Sequence, residues 1–377
     1  MTRYSNFIGG FSVRMMSFYL QTMYPAYLVY YLGVKGLTYW LLVFVFWISA
    51  GFGTLLPYFA KGRYSLISVF AAVISAVLLV SREWTAVFSL IGLSALVSGL
   101  TGAYTFLSFK EGSFSGVLAY SSGLALGLFV STLLMYFVVR AAKLPLELSG
   151  IILLLFSLIT ALMMPNAKSR TDIGYLRIGE LLASLKRTRV ELRMAALNTF
   201  AWVSFFSYVF YFLYYAQGIG SEYAIGLLTL TTLIIFMSRI AIKDKTGERT
   251  SLGLIFMLYA FAFFMLNLNS YLRSIYVLVI AFALIGVAAG VGSPYILYKS
   301  LRVEGDDRST YNEYIAYNAY TGAGELLSNL FFFIVLELRI VGYFYAILAA
   351  IIITVILTDQ KLHLYELHNH NGASGKR

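Results

Sequence analysis

NAKSRTDIGYLRIGELLASLKRTRVELR, running from Asn166 to Arg193, lies almost at the midpoint of a chain of 377 residues. Seven of its 28 residues are basic (Lys168, Arg170, Arg177, Lys186, Arg187, Arg189 and Arg193) and three are acidic. On either side the chain is a succession of apolar runs divided by short polar breaks. Each charge of the stretch would cost about 2.5–3.5 kcal/mol at bilayer depth. The stretch therefore reads as a connector at a membrane face, joining two membrane-embedded halves. Within it Ile178, Leu181, Leu182 and Leu185 recur at i, i+3, i+4 and i+7 between basic residues. That spacing predicts a short amphipathic helix on the headgroups, with a solvated loop of helical propensity as the alternative.

Composition agrees with a membrane setting. The chain is 60% hydrophobic and only 12% charged, with a mean hydropathy of +0.80, against roughly 25% charged residues in soluble domains. It has no cysteine, which excludes disulfides and thiolate metal sites. The three histidines (His363, His368 and His370) all fall in the C-terminal tail, so no histidine proton relay runs through the core. No P-loop motif occurs, which argues against primary pumping, and neither a metal nor a cofactor is implied.

A membrane helix needs about 20 mostly apolar residues. Runs of that order occur at 15–34, 37–58, 65–81, 84–108, 113–139 and 148–165, and again at 194–216, 223–238, 250–272, 274–298, 314–336 and 340–358. The short run 223–238 is expected to extend past Arg239, with the guanidinium snorkelling to the interface. The runs are continuously apolar rather than alternating, which excludes a β-barrel. An N-terminus in the cytoplasm places twenty-one of the 28 Lys and Arg on the inner side and six outside, with Arg14 set apart. The expected fold is thus an all-α polytopic membrane protein with twelve spans and both termini cytoplasmic. Its parts are a six-helix bundle over 1–165, a linker over 166–193, a second bundle over 194–358 and a tail over 359–377. The plasma membrane is the expected location. The net charge of +11 then needs no nucleic-acid partner.

The two halves resemble each other. Tyr27-x-x-Tyr30-Tyr31 recurs as Tyr211-x-x-Tyr214-Tyr215, and Tyr39 and Tyr223 keep the same offset. Ala119-Tyr120 with Gly123 and Gly127 matches Ala316-Tyr317 with Tyr320 and Gly324. At corresponding places of a six-plus-six layout, these pairs point to a duplicated, pseudo-symmetric six-helix unit.

At the connection between the eighth and ninth runs the chain reads Arg239-Ile-Ala-Ile-Lys243-Asp244-Lys245-Thr246-Gly247-Glu248-Arg249. This resembles the inner-loop signature of the major facilitator superfamily, Gly-x-x-x-Asp-(Arg/Lys)-x-Gly-(Arg/Lys)-(Arg/Lys). Asp244, Lys245, Gly247 and Arg249 fall on motif positions, whereas Ile240 replaces the first Gly and Glu248 a basic residue. The equivalent loop of the first half keeps Gly62 and Arg63 but has Phe59 in place of the Asp. The resemblance implies two bundles rocking about a midplane site. Gly247 permits a tight turn, and Asp244 is placed to cap a neighbouring helix or pair with an Arg, latching the inner face. A plain polar turn is the alternative.

Ionisable and strongly polar residues within a span are costly, and so are candidates for the transport path. Glu325 stands about halfway along the eleventh run, after Thr321-Gly-Ala-Gly324, with Asn318 and Asn329 at i−7 and i+4 on its face. It suits a proton carrier; a structural carboxyl is the alternative. Arg14 and Gln21, seven apart on the first run, share a face. Arg14 either lies in the membrane, where it would bind an anionic substrate or pair with Glu325, or flanks a helix that begins at Met15. Asn198 and Trp202 of the seventh run are placed to line a cavity, as first and seventh helices do in the superfamily. Thr229, Thr231 and Thr232 read as interhelical hydrogen-bonding residues.

The reading is a secondary transporter, not an enzyme, that moves a small-molecule substrate with protons as the candidate coupling ion. Membrane lipids are its surroundings and a monomer is expected. The rival is a polytopic membrane enzyme or lipid-handling protein using Glu304, Asp306, Asp307 and Arg308, which lack the His or Cys partners that metal or nucleophile chemistry usually needs. A transporter-like sensor is a third reading.

Overall fold

A computed structural model describes residues 3–54, 56, 64–109, 114–142, 146–163, 190–241, 251–300 and 307–358. Within them twelve α-helices follow one another. The first six are α1 (Arg3–Ala26), α2 (Gly36–Gly53), α3 (Tyr64–Leu78), α4 (Glu83–Phe109), α5 (Phe114–Ala142) and α6 (Leu146–Met163). The second six are α7 (Val190–Tyr211), α8 (Ser221–Ala241), α9 (Leu252–Leu272), α10 (Ile275–Ser300), α11 (Asp307–Glu337) and α12 (Phe344–Thr358). Nine are long and apolar enough to cross a membrane, and α3 and α6 are shorter apolar helices. Large apolar side chains such as Phe70, Phe88, Leu155, Phe261 and Ile280 face outward, as lipid contact requires. The expected connector helix at 178–185 and the tail lie outside the described residues, as do the inner-loop residues Gly62, Arg63, Asp244, Lys245, Gly247 and Arg249.

The helices pair by the same rule in each half. α1 packs on α5, α2 on α4 and α3 on α6; α7 packs on α11, α8 on α10 and α9 on α12. Adding six to each number converts one set into the other, so the molecule is two pseudo-symmetric six-helix bundles. Small residues set the closest approaches. A Cβ at Gly127 would meet the backbone of Phe11 and Met15, and one at Gly324 the backbone of Ala196 and Phe200. Gly123 likewise abuts Phe7. These contacts step in the same direction along both helices, so α1 and α5 run parallel. Across the halves, Thr132 pairs with Thr232 and Ser121 with Arg239, so α5 and α8 run antiparallel. Odd-numbered helices therefore begin at one face, called here the near face, and end at the far face.

The repeated tyrosine motifs coincide with a repeated distortion. α1 and α7 each end in a π-helical turn, Tyr27–Tyr31 and Phe212–Ala216. Pro25 removes an intrahelical donor just before the first. The second forms without a proline inside α7, so proline is not the shared cause.

Two expectations are corrected. The first span is expected from residue 15, but α1 begins at Arg3, because the less apolar segment before Met15 packs on Gly123 and Gly127 of α5. Arg14 is accordingly inside the helix. The second concerns Arg239, expected at the headgroups. α8 continues to Ala241, and Arg239 turns inward between the halves, only 5% exposed.

Candidate functional site: a polar cavity between the halves

Among the described side chains, the charges within the body of a helix are Arg14 and Glu325, and Arg239, in the last turn of α8, is buried. All three line one cavity of about 270 Å³ between the two bundles. From α1 come Arg14, Ser17 and Gln21; from α7, Asn198, Thr199 and Trp202; from α11, Tyr317, Asn318, Thr321 and Glu325. α2, α4, α5 and α10 contribute Trp47, Thr54, Ser98, Thr101, Ser121 and Ser293 among others, none of them charged. Six of the seven pathway candidates read from the sequence are thus brought together. Asn329 is not among the lining residues. Its amide donates to the Glu325 carbonyl at 2.8 Å and accepts from the Tyr208 hydroxyl, which ties α11 to α7.

Apart from Gln21, in the last third of α1, the lining residues lie near the middle of their helices or toward the near face. The even helices show this best: α2 contributes 47–54 of a helix that ends at Gly53, and α8 contributes Arg239 of a helix that ends at Ala241. Toward the far face the halves are sealed. The Tyr30 hydroxyl donates to the Ile219 carbonyl at 3.2 Å, the Gly36 amide to the Tyr211 hydroxyl at 3.0 Å and the Tyr215 hydroxyl to the Val34 carbonyl at 3.1 Å. The Trp40 indole donates to the Asn329 carbonyl at 2.9 Å, and the Tyr39 hydroxyl to the Ser207 carbonyl. Rings fill the space between: Tyr30 with Tyr214 at 5.1 Å, Tyr39 with Tyr211 at 4.8 Å and Trp40 with Phe333 at 4.7 Å. Trp202 lines the cavity and is backed by Phe206 and Phe18, with Phe18 and Phe206 centroids 4.8 Å apart and Trp202 and Phe206 3.9 Å apart. Trp47 anchors there too, donating to the Ser207 hydroxyl at 2.8 Å.

The polar groups are unevenly satisfied. Arg14 lies over the Phe18 ring at 5.5 Å, a cation–π contact. Arg239 donates through Nη1 to the Ser121 carbonyl at 2.6 Å, while its buried Nε has no acceptor among the described residues. The Gln21 and Asn198 amide oxygens are likewise buried without a donor, although Gln21 Nε2 reaches Ser17 Oγ at 3.3 Å. The Glu325 carboxylate makes neither a hydrogen bond nor an ion pair with the described residues, but Arg14 acts on it electrostatically. No group of three or more His, Cys, Asp or Glu comes together among the described residues. Arg239 is the charged site residue that sequence reasoning missed, alongside uncharged lining residues such as Ser17, Trp47, Thr199 and Ser293. Its signal, an Arg closing an apolar run, is the same for a headgroup contact and for a buried one.

No family model matches the chain, and no curated protein matches it in sequence. Solved structures do. One is the crystal structure of the human organic anion transporter MFSD10 (TETRAN), with a TM-score of 0.68 at 16% identity over 94% of this chain and 98% of that one. Another is the in meso crystal structure of the POT family transporter PepTSo, also at 0.68, with 13% identity over 98% of both chains. The fold is therefore that of these two solved transporters, in a multi-pass membrane protein.

Proposed function

From the premise of a transporter fold, we propose that the chain is a secondary active transporter carrying a small solute by alternating access. The observation that carries this reading is the cavity between the bundles, set toward the near face and shut from the far face by a layer of tyrosine, tryptophan and phenylalanine. A central cavity closed toward one face is what alternating access requires of each resting state. The basic-rich connections of the sequence follow even-numbered helices, which end at the near face, so that face is the cytoplasmic one by the positive-inside rule. Both termini are then cytoplasmic, the described conformation faces inward, and the plasma membrane is the working location. Glu325 serves as the proton carrier: its carboxyl lies in the cavity without a bonding partner among the described residues, where one charge more or less changes the balance against Arg14 and Arg239. The loop around Asp244 would latch the inner face when it closes. The protein works as a monomer among lipids.

The test starts with a thermal-shift screen of sugars, amino acids, organic acids and hydrophobic cations at two pH values, since a ligand of the folded state raises the midpoint by mass action. Flux of the hits into proteoliposomes follows. Uptake driven by an imposed proton gradient is expected, with Glu325→Gln losing that drive while solute exchange persists. Hits that bind but never cross overturn transport. Unchanged flux and pH dependence in Glu325→Gln overturns the role of the carboxyl.

A further inference from the structure

We infer that the cavity is an anion site, and that its solute is a small organic anion clamped between the guanidinium groups of Arg14 and Arg239; this rests on the transport reading above. Three observations carry it. The first is the charge of the lining. Two cations come from opposite bundles and one carboxylate from α11, while α2, α4, α5, α7 and α10 add none. With all three ionised the cavity holds one positive charge in excess, which a single anion neutralises.

The second is the state of Arg239. It is only 5% exposed, one of its nitrogens is spent on the Ser121 carbonyl, and its Nε lies buried with no acceptor among the described residues. A guanidinium donor removed from water without an acceptor is costly, and an oxyanion that draws the Arg239 side chain toward the cavity would supply what is missing. The third is the position of Arg14, which lines the cavity, is held over the Phe18 ring and is close enough to act electrostatically on Arg239. Two like charges facing one space repel when it is empty and are reconciled by an anion between them. The cavity, about 270 Å³, restricts the solute to a small molecule.

The guanidinium fork fits carboxylate and phosphate alike, so the shared chemistry is an oxyanion on a small organic body. Because Arg239 also bonds α5 through Ser121, the anion pulls on the group that joins the two halves. Binding and rocking therefore share one side chain.

The experiment measures binding to the full-length protein in nanodiscs by thermal shift and calorimetry. Benzoate, lactate and glycerol 3-phosphate are compared with their neutral counterparts benzamide, lactamide and glycerol. At least one anion should raise the midpoint while its counterpart does not; benzoate or lactate marks a carboxylate site and glycerol 3-phosphate a phosphate site. Arg239→Gln should weaken that anion by about ten- to a hundredfold, and Arg239→Lys by less. Should Arg239→Gln fail to fold, Arg14→Gln carries the same expectation. The inference is overturned if no anion outperforms its neutral counterpart, or if the affinity survives in both Arg→Gln variants. Arg-dependent binding without uptake into proteoliposomes leaves the anion site standing and removes transport. Uptake of a neutral solute with no anion binding does the reverse.

Discussion

The seam between α5 and α8 and the seam between α2 and α11 are related by the internal symmetry, yet they are built differently. Along α5 and α8 the bundles are joined at three depths. Arg239 reaches Ser121 at 2.6 Å toward the near face, the Thr132 and Thr232 hydroxyls meet at 2.6 Å in the middle, and Arg140 stands 3.8 Å from Glu222 at the far end. Along α2 and α11 the described bonds are confined to the far end, where Trp40 and Tyr39 meet Asn329, Phe332 and Phe333. Nearer the other face, Ala50, Gly51 and Thr54 of α2 and Tyr317, Asn318 and Thr321 of α11 line the cavity instead. Short hydroxyl pairs tolerate rotation about a point but not separation, whereas a bulky aromatic cap at one end leaves the other end free to part. On the transport reading proposed above, the difference would make α5 and α8 the pivot and α2 and α11 the moving gate.

Locking each seam breaks this comparison most directly. The chain has no cysteine of its own, so engineered pairs act on a clean background. Thr132→Cys with Thr232→Cys places two thiols where hydroxyls already touch, within reach of a disulfide, and this pair should transport at close to the wild-type rate when oxidised. Thr54→Cys with Tyr317→Cys, bridged by a bifunctional reagent across the near end of α2 and α11, should lose transport and regain it when a cleavable bridge is reduced. Loss of uptake in the first pair, or its survival in the second, would exchange the roles of the two seams.

How much of this was legible in the sequence follows from the range of the interactions involved. The twelve runs could be read because hydrophobic burial along a helix is local. The repeat could be read because the same small residues, Gly127 and Gly324, recur where helices must approach. The start of α1 was misplaced because Arg3 to Val13 is held by contact with α5, not by its own apolarity. Arg239 was misplaced for a related reason, since the acceptor that draws it inward is the carbonyl of Ser121, more than a hundred residues earlier. Asn329 shares a helix face with Glu325 by spacing, but Tyr208 and the Glu325 carbonyl occupy its amide. The tyrosine motifs signalled duplication without signalling that they seal one end of the path, because the seal exists only when the two copies face each other.

A smaller effect sharpens the account of the gate. Trp40→Phe keeps the ring that packs on Phe333 and deletes the indole donor to the Asn329 carbonyl. A neutral hydrogen bond of this kind is worth about 0.5–1.5 kcal/mol, so the far seal should weaken and the outward-open population should rise by roughly two- to tenfold. Distances between spin labels at Leu37 and Leu338, both exposed near the far ends of α2 and α11, would report it. A shift toward the inward-facing state, or none at all, would mean that the rings alone hold the far seal.

The least effect is expected where the α5–α8 seam looks most ionic. Arg140 and Glu222 are 65% and 51% exposed at 3.8 Å, and an exposed pair of that kind contributes about 0–1 kcal/mol and is screened by salt. The pivot then rests on the buried threonine pair and on Arg239, which water and ions do not reach as freely. Arg140→Gln should leave both the thermal midpoint and the transport rate near wild type, at low salt and at high. If instead this substitution, or salt alone, slows transport as strongly as a change at Arg239, the far end of the seam is what holds it. The pivot would then lie at the surface of the membrane rather than at the depth of Thr132 and Thr232.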